Sequence, residues 1–251
     1  SRGEGLGNQF LGHIKEVNAI VHVLRCFENS DIIHVENKID PKRDLEIINT
    51  ELALKDLDIV EKRITNLEGE ARSGDKQAKA DLETLIKIKT KLEAGDSILE
   101  FQNNELAISL GLLSIKKRIY LLNGKESDIS ENLLATIKSE GADYIIKDLS
   151  EQANLDELIQ KAYEVLGLIS FFTTGEKETR AWTIRRGSTA PIAAGAIHTD
   201  FQDKFIRAEV VSYENFVNLG GWNQSKQGGK LGIEGKEYIV KDGDILIIRH
   251  S

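Results

Sequence analysis

A series of apolar residues at alternating steps of three and four constrains the fold of this chain more than any other feature. The series consists of Leu57, Val60, Ile64, Leu67 and Ala71. This spacing places the side chains on one face of a helix, and a similar series covers residues 78–92. Ser73-Gly74-Asp75 lies between them and supplies a helix stop and a new N-cap. The pattern predicts two antiparallel helices with a coiled-coil-like seam, which serve either as a structural arm or as an arm that binds a partner.

Short apolar runs on both sides of this helical region have the character of an α/β layer. Residues 18–27, 117–122 and 142–146 are short and rich in Val, Ile and Leu, which is typical of buried strands. Residues 130–139 and 155–166 have helical periodicity. Strands that alternate with helices predict an α/β domain with a parallel sheet, into which the helical pair is inserted.

The first helix and the first strand supply expected core residues. Phe10, Ile14 and Val17 are spaced by four and three, which predicts one apolar helix face. His22 lies within the apolar strand, and Cys26 lies at its end. Because it lies in an apolar strand, His22 is predicted to be a core histidine. Cys26 is predicted to be a small buried residue, since a single cysteine cannot form a disulfide or a cysteine-rich zinc cluster.

From residue 168 the pattern becomes strand-rich. The segments ISFFTT and TRAWTI on either side of Gly175 predict a hairpin, and Pro191 marks the start of a short helix. FIRAEVVSY predicts another strand. EYIV and ILIIR predict a second hairpin with Asp242-Gly243 in its turn. Strands around one short helix within about 80 residues are typical of a small α+β module of the ubiquitin-like, β-grasp kind.

Charge is distributed unevenly along the chain. The net charge is −8, yet residues 168–251 carry 11 Lys and Arg against 10 Asp and Glu. The acidic remainder disfavours nucleic acid, whereas the C-terminal part can hold a local basic patch. Candidate contacts to RNA or to a ribosome are Arg180, Arg185, Arg186, Lys204 and Arg207. A solvated face is the alternative interpretation of such a charge cluster.

Composition bears on the compartment and on the extent of the chain. No apolar run reaches the roughly 20 residues of a membrane span, and no secretory leader is visible. With its single cysteine the chain is expected to be cytoplasmic, with no membrane partner. There is no methionine, not even at position 1. The chain is therefore expected to begin inside a longer protein.

The stretch RIYLLNGKES contains the main candidate site. An apolar run from Ile119 to Leu122 stops at Asn123, and Glu126 follows three positions on. Asn-Gly is a strong hairpin signal, yet KESDIS supplies no second strand. Ligands of α/β sheets bind beyond the carboxyl ends of the strands, and Asn and Glu offer a donor and acceptors to a nucleotide base. A tight turn and a base-binding site are the two interpretations of these residues alone.

Motifs for phosphate chemistry are absent from the sequence. The phosphate loop Gly-x-x-x-x-Gly-Lys-Ser/Thr does not occur, and Gly124-Lys125, the nearest candidate to the site, lacks its upstream glycine and its following hydroxyl. A Gly-x-Ser-x-Gly elbow and a His-Glu-x-x-His motif are also missing. No catalytic residue and no metal ligand is therefore visible.

Seven segments together resemble the Obg-like ATPase, or YchF, family of translation-factor-class P-loop NTPases. They are GEGLGNQFLGHIKEVNAIVHVLRCFE, INTELALKDLDIVEKRI, RIYLLNGKE, ETRAWTI, APIAAGAIHTDF, FIRAEVVSYENF and EGKEYIVKDGDI. The resemblance covers essentially the whole chain. It implies an incomplete G domain (residues 1–44 and 111–167), an inserted helical arm (45–110) and a C-terminal β-grasp TGS domain (168–251).

The same resemblance implies how the base is chosen. Ordinary GTPases of this class read guanine with Asn-Lys-x-Asp, whereas Asn123-Gly124-Lys125-Glu126 resembles the family's Asn-x-x-Glu variant, which is associated with ATP as well as, or better than, GTP. The longer Glu cannot keep the bidentate geometry, and unpaired guanine donors cost about 1–3 kcal/mol each. Gly124 is implied to offer a backbone contact to adenine.

The resemblance also carries expectations for the rest of the protein. Gly3 and Gly5 would belong to the second switch beside the γ-phosphate, while the phosphate loop and the Mg²⁺ ligands would precede Ser1. The family's base-supporting loop is not visible after the strand at 142–146, so a gap is expected there. The expected function is ATP hydrolysis by a monomer that associates with a ribosome or RNA, and residues 1–251 alone are expected to be inactive. The alternatives are a GTP-selective switch and an RNA- or ribosome-binding module with little catalysis of its own.

Overall fold

The computed structural model describes residues 7–29, 39–150 and 154–251. The chain divides into two compact units, Ser1–Val165 and Leu166–Ser251. The described helices up to the end of the first unit are α1 (Asn8–Glu16), α2 (Pro41–Arg72), α3 (Lys76–Ala94), α4 (Glu105–Ser109), α5 (Glu131–Ser139) and α6 (Asp156–Leu166). Its described strands are β1 (Ala19–Arg25), β2 (Lys117–Asn123) and β3 (Asp143–Lys147). None of the helices in these ranges combines the length and apolar character that a membrane crossing requires.

The three strands form a parallel sheet with β2 between β1 and β3. Asn123, the last residue of β2, pairs with Arg25 of β1 and with Lys147 of β3. The carboxyl ends of the three strands therefore meet at one edge of the sheet. The strands predicted at 18–27, 117–122 and 142–146 and the helices predicted at 130–139 and 155–166 are confirmed.

Helical layers cover both faces of β2. Successive side chains of a strand point to opposite faces, so β2 contributes residues to both layers. On one face the sheet packs against α2 and α5 through Leu24, Tyr120, Leu122, Leu45, Leu133 and Ile137. On the other face it packs against α6 through Ile119, Leu121, Ile145, Leu158, Ala162 and Val165. The central strand is therefore buried on both faces, and Asn123 lies at its end.

Helix α2 is 32 residues long and belongs to both the sheet and the helical pair. Asp40 caps its first turn by accepting from the N–H of Arg43, and Pro41 occupies the first helical position, where a missing N–H costs nothing. The second half of α2 packs along α3 through Val60, Leu67, Ala71, Ala78, Leu85, Ile88 and Leu92. Lys89 of α3 forms an ion pair of 2.8 Å with Glu61 of α2.

Helix α1 buries a different face from the predicted one. Leu11 and Ile14 pack against Leu52 of α2 and against Leu113, whereas Phe10 is 52% exposed. The prediction of a Phe10-Ile14-Val17 face was wrong, since Leu11 and Ile14 are also three residues apart. Periodicity alone does not distinguish two overlapping faces.

The second unit contains a five-stranded mixed sheet within its described residues. Its helices are α7 (Ala190–Ile197), α8 (Thr199–Asp203), α9 (Tyr213–Leu219) and α10 (Trp222–Gln227), and its strands are β4 (Leu168–Thr174), β5 (Thr179–Arg185), β6 (Phe205–Ser212), β7 (Gly232–Glu234) and β8 (Asp244–His250). The strand order is β5-β4-β8-β6-β7, with β4 and β8 parallel and the other pairs antiparallel. Strands β4 and β5 form the first predicted hairpin. Helix α7, the predicted short helix, packs three alanines onto this sheet.

The second predicted hairpin, between EYIV and ILIIR, is wrong. Ile239 forms only an isolated bridge with Thr189, and β8 pairs instead with β4 and β6. The Asp244 carboxylate accepts from both the Tyr238 hydroxyl, at 2.8 Å, and the Lys241 N–H, at 2.9 Å. A side chain thus closes the turn, and no ladder joins its two arms.

Candidate binding site at the carboxyl edge of the parallel sheet

Asn123 joins the ends of the three strands. Its Oδ1 accepts a hydrogen bond of 3.0 Å from the N–H of Leu149, which follows β3. Its carbonyl accepts from the N–H of Cys26 at 2.9 Å, and the N–H of Gly124 donates to the carbonyl of Lys147 at 3.2 Å. Within the described residues nothing accepts from Asn123 Nδ2. The side chain therefore supports the sheet edge with its oxygen.

The residues after Asn123 form a turn of helix and not a hairpin. Glu126–Asp128 is one turn of 3₁₀-helix, closed by a backbone bond of 2.9 Å from the N–H of Asp128 to the carbonyl of Lys125. Ser130 then caps α5 by accepting from the N–H of Leu133. The hairpin interpretation of Asn-Gly is excluded because α5 follows where a second strand would be needed.

Gly124 is buried and has little room for a side chain. A Cβ atom at this position would lie 3.2 Å from Asp128 Oδ2 and 3.2 Å from Cys26 Cβ. Contacts this short would require Asp128 or Cys26 to shift by a few tenths of an ångström. Because Gly124 is not among the glycines with a positive φ, packing and not backbone conformation favours glycine here.

A pocket of about 620 Å³ opens beside this turn. Its lining comprises Cys26, Phe27, Glu28, Asn29, Lys125, Asp128, Asp148 and Ser150. None of the three predicted base-binding residues, Asn123, Gly124 and Glu126, is part of the lining. Glu126 is exposed, and its carbonyl accepts from the N–H of Ile129 at 3.2 Å. The carboxylate residues that border the pocket are Glu28, Asp128 and Asp148.

Three residues of this edge were not predicted from the sequence as site residues: Asp128, Asp148 and Leu149. Asp128 Oδ2 accepts from the N–H of Lys125 at 2.9 Å, and Asp148 Oδ1 accepts from the N–H of Ser150 at 2.9 Å. The bonds from the Ser150 hydroxyl and N–H lower the pKa of the Asp148 carboxyl. The spacings Lys-x-x-Asp and Asp-x-Ser are typical of such side-chain-closed turns and were the available signal. The bond to Leu149 joins residues 26 positions apart and leaves no sequence signature.

The two polar residues of β1 have the character of core groups. Burial raises the pKa of the Cys26 thiol to about 11, and the nearby Asp128 carboxylate adds to the rise. Burial also lowers the pKa of His22 to about 4, with a further contribution from the Arg118 guanidinium. The His22 ring lies 5.3 Å from the ring of Tyr120. Both groups are neutral at pH 7. Cys26 is buried, as predicted, whereas His22 is only half-buried.

The remaining predicted residues lie elsewhere or outside the described ranges. Gly3 and Gly5 lie outside the described residues, so the switch prediction has no structural counterpart here. Within the described residues no group of three or more His, Cys, Asp or Glu side chains could hold a metal ion.

The five basic residues predicted to contact RNA or a ribosome are exposed but do not form one patch. Arg180 stacks on Trp182, with its guanidinium carbon 4.1 Å from the ring centroid. Arg185 pairs with Leu168 at the start of β4, while Arg207 pairs with Arg249 near the end of β8. Because β4 and β8 are parallel, Arg185 and Arg207 lie at opposite ends of the sheet.

Arg186 and Lys204 extend these two ends. Arg186 follows Arg185 directly, and its N–H donates to the carbonyl of Gly167 at 2.7 Å. Lys204 precedes β6, and its carbonyl accepts from the N–H of Ser251 at 3.2 Å. The basic residues therefore fall into two groups, and a role in RNA contact stays a prediction for each.

A parallel sheet with helices on both faces and Asn123 at its carboxyl edge fits the P-loop NTPase class of α/β proteins. Comparison with known proteins narrows this class. The chain is 42% identical over its whole length to the ribosome-binding ATPase YchF of Haemophilus influenzae, of which it covers 78%. It is 39% identical to the protein of the same name in Bacillus subtilis, again over all of this chain and 78% of that one. The chain belongs to the YchF family of Obg-like ATPases.

Further relatives agree with this assignment. Obg-like ATPase 1 of Saccharomyces cerevisiae is 38% identical over 99% of this chain and 73% of its own length. The solved structure of the Schizosaccharomyces pombe YchF GTPase superposes with a TM-score of 0.82 at 35% identity, covering 99% of this chain and 76% of that one. Residues 168–251 match the family model YchF-GTPase_C, described as a protein of unknown function (DUF933).

Proposed function

We propose that the protein hydrolyses ATP, accepts GTP as an alternative substrate, and acts as a regulator that associates with the ribosome. Water cleaves the bond to the γ-phosphate, and binding energy positions the nucleotide for this in-line attack. The observation that carries the proposal is the position of Asn123 at the carboxyl edge of β2, in a chain 42% identical to a ribosome-binding ATPase along its entire length.

The proposed domain organisation follows from the same relationship. Residues 1–44 and 111–167 form a G domain, residues 45–110 a helical arm, and residues 168–251 a TGS domain. The packed pair of α2 and α3 supports the arm, and the mixed sheet with α7 across it supports a β-grasp TGS domain. We further propose a cytoplasmic monomer that requires Mg²⁺, whose protein ligands lie outside the described residues.

Base selection is assigned to Asn123, Gly124 and Glu126. Asn123 Nδ2 offers a donor, and Gly124 keeps the wall beside the base free of a side chain. Glu126 is exposed at the start of the 3₁₀ turn, so its longer arm can reach a base edge without disturbing the sheet. A carboxylate one methylene shorter would regain the geometry that pairs two guanine N–H groups.

Competitive binding of ATP and GTP to the full-length protein tests this assignment. ATP is expected to bind at least as tightly as GTP, and Glu126→Asp is expected to shift the ratio toward GTP by about tenfold, equivalent to about 1.4 kcal/mol. Glu131→Asp makes the same change on the exposed first turn of α5 and serves as the matched control. Tenfold tighter GTP binding by the wild type, together with an unchanged ratio for Glu126→Asp, would show the assignment to be wrong.

Association with the ribosome is tested by co-sedimentation at increasing salt. The structure separates two basic groups, so Arg185→Ala/Arg186→Ala and Lys204→Ala/Arg207→Ala are compared with Lys226→Ala, a change on the exposed side of α10. Each lost phosphate contact reduces the salt dependence by about one counterion. The group that contacts RNA shows this loss and the other does not. Absence of nucleotide-dependent association of the wild type at low salt would contradict the ribosomal role.

A further inference from the structure

We infer that Asp128 is a positioning residue of the base site, an inference that rests on the proposed role of Asn123, Gly124 and Glu126. Asp128 lies two positions beyond that motif, at the end of the 3₁₀ turn. Its carboxylate holds the motif in shape and forms part of the pocket wall where the base would lie.

The first step of the argument is the hydrogen bonding. Asp128 Oδ2 accepts from the N–H of Lys125 at 2.9 Å, and the N–H of Asp128 donates to the carbonyl of Lys125 at 2.9 Å. The two bonds close a ring around Glu126 and set the direction in which its side chain leaves the turn. Ser127 Oγ lies 3.3 Å from the second oxygen, Oδ1, a long contact that leaves that oxygen able to accept from a ligand.

The second step is the packing around Gly124. The space that a side chain at position 124 would enter is bounded by Asp128 Oδ2 and Cys26 Cβ, each 3.2 Å from the position of a Cβ atom. In the ordinary Asn-Lys-x-Asp motif a lysine occupies this second position. Here the Asp128 carboxylate lies next to this position, and a larger residue at 124 would require Asp128 or Cys26 to shift by a few tenths of an ångström.

The third step is the pocket itself. Lys125 is the member of the Asn123–Glu126 segment that lines it, and Asp128 lines it beside Lys125. Asp128 is therefore the motif-proximal carboxylate that both supports the turn and borders the ligand space. A cap with a purely local structural role would stabilise the turn without changing the relative affinity for ligands with and without a base.

Two substitutions of Asp128 in the full-length protein test the inference, with ATP and inorganic tripolyphosphate as ligands. Asp128→Ala is expected to weaken ATP binding about tenfold and to leave tripolyphosphate binding unchanged, because only the base contacts are displaced. Asp128→Asn keeps an acceptor for the Lys125 N–H and is expected to stay within about threefold of the wild type. Glu131→Ala, which removes an exposed carboxylate from α5, is the control.

A double-mutant cycle supplies an independent measurement. Gly124→Ala is expected to weaken ATP binding about fivefold, and adding Asp128→Ala to it is expected to cost less than the same change in the wild type, because the crowded oxygen has gone. Circular dichroism spectra and unfolding midpoints show whether each variant is folded. Additive losses in the cycle, or equal losses of ATP and tripolyphosphate affinity, overturn the inference.

Asn123→Ala separates this inference from the proposed function. If Asn123→Ala weakens ATP binding and Asp128→Ala does not, Asp128 has no positioning role and the base site stands. If neither change affects ATP binding, the base site itself is misassigned and the role of Asp128 is rejected with it.

Discussion

Arg118 of β2 donates from Nη1 to the side-chain oxygen of Asn49 in α2, across a distance of 2.6 Å. Asn49 Nδ2 donates in turn to Glu140 Oε1 at 2.8 Å, and the Tyr120 hydroxyl donates to Glu140 Oε2 at 2.6 Å. This network links the long helix to the same strand whose other end carries Asn123. Helix α2 and the residue that follows α5 are thus hydrogen-bonded to β2.

The first prediction concerns this network. Glu140→Ala leaves the Tyr120 hydroxyl and the Asn49 amide without their acceptor, so it is expected to lower the free energy of unfolding by about 1–3 kcal/mol. Tyr120→Phe is expected to cost about 1 kcal/mol. In urea titrations the free energy of unfolding of the double variant should fall by less than the sum of the two single losses, because both changes remove the same Tyr120–Glu140 hydrogen bond. Strict additivity would show that the bond contributes nothing.

The second prediction concerns Asp56, which is fully buried in α2. Its Oδ1 and Oδ2 accept from the N–H groups of Leu113 and Ser114, each at 2.7 Å. Asp56→Asn places an NH₂ donor against one of these N–H groups, so a loss of about 1–3 kcal/mol in the free energy of unfolding is expected at pH 7. Asn104→Ala, which removes a single cap of α4, gives a reference loss of about 1 kcal/mol.

The pH dependence of the Asp56 variant has a defined sign. Burial raises the pKa of the Asp56 carboxyl above 3.8 in the folded state. The folded protein therefore binds this proton more tightly, and the associated stability is present at acid pH and lost as pH rises through the folded pKa. The loss caused by Asp56→Asn should grow as pH falls from 7 toward 4, and a constant difference would contradict the raised pKa.

The third prediction concerns His22, whose pKa is lowered from 6.5 to about 4 by burial. The unfolded chain takes up a proton below pH 6.5 that the folded protein resists, so stability is present above pH 6.5 and is lost as pH falls to 4. His22→Gln should lose about 3 kcal/mol less than the wild type over this range, by the conversion of 1.36 kcal/mol per pKa unit. His13→Gln, on the exposed side of α1, is the matched control.

The fourth prediction concerns the bond from Leu149 to Asn123. Asn123→Ala removes the acceptor of the Leu149 N–H, so hydrogen exchange at that amide should accelerate, while exchange in the core of β2 stays slow. Asn123→Asp retains an acceptor and should preserve the protection. Equal exchange at Leu149 in all three proteins would show that the side chain does not hold the loop.

The fifth prediction concerns catalysis by residues 1–251 alone. The sequence has no phosphate loop, and most of the binding energy for a triphosphate comes from such a loop together with Mg²⁺. No ATP turnover above background is expected from this polypeptide in a phosphate-release assay. Measurable turnover would mean that other residues of the chain bind the phosphates.

Local patterns predicted most elements of the two units. The strands around His22 and Tyr120 and the helices that follow them were recognisable because a buried element must repeat its apolar residues at the period of its own geometry. The apolar contact between α2 and α3 was predictable for the same reason. The choice between Phe10 and Leu11 as the buried residue of α1 did not, since both fit a helical period and only the positions of Leu52 and Leu113 decide it.

The site divides in the same way. The sequence by itself determined that Asn123 ends an apolar strand, that a turn follows it, and that the chain resembles the YchF family, because these depend on neighbouring residues and on runs of letters. Only the tertiary structure decided that Asn123 supports Leu149, that Asp128 and Cys26 crowd the space beside Gly124, and that the basic residues lie at two ends of a sheet. Contacts of this kind join residues that are far apart in sequence, and their geometry depends on strand order and packing, which no local pattern contains.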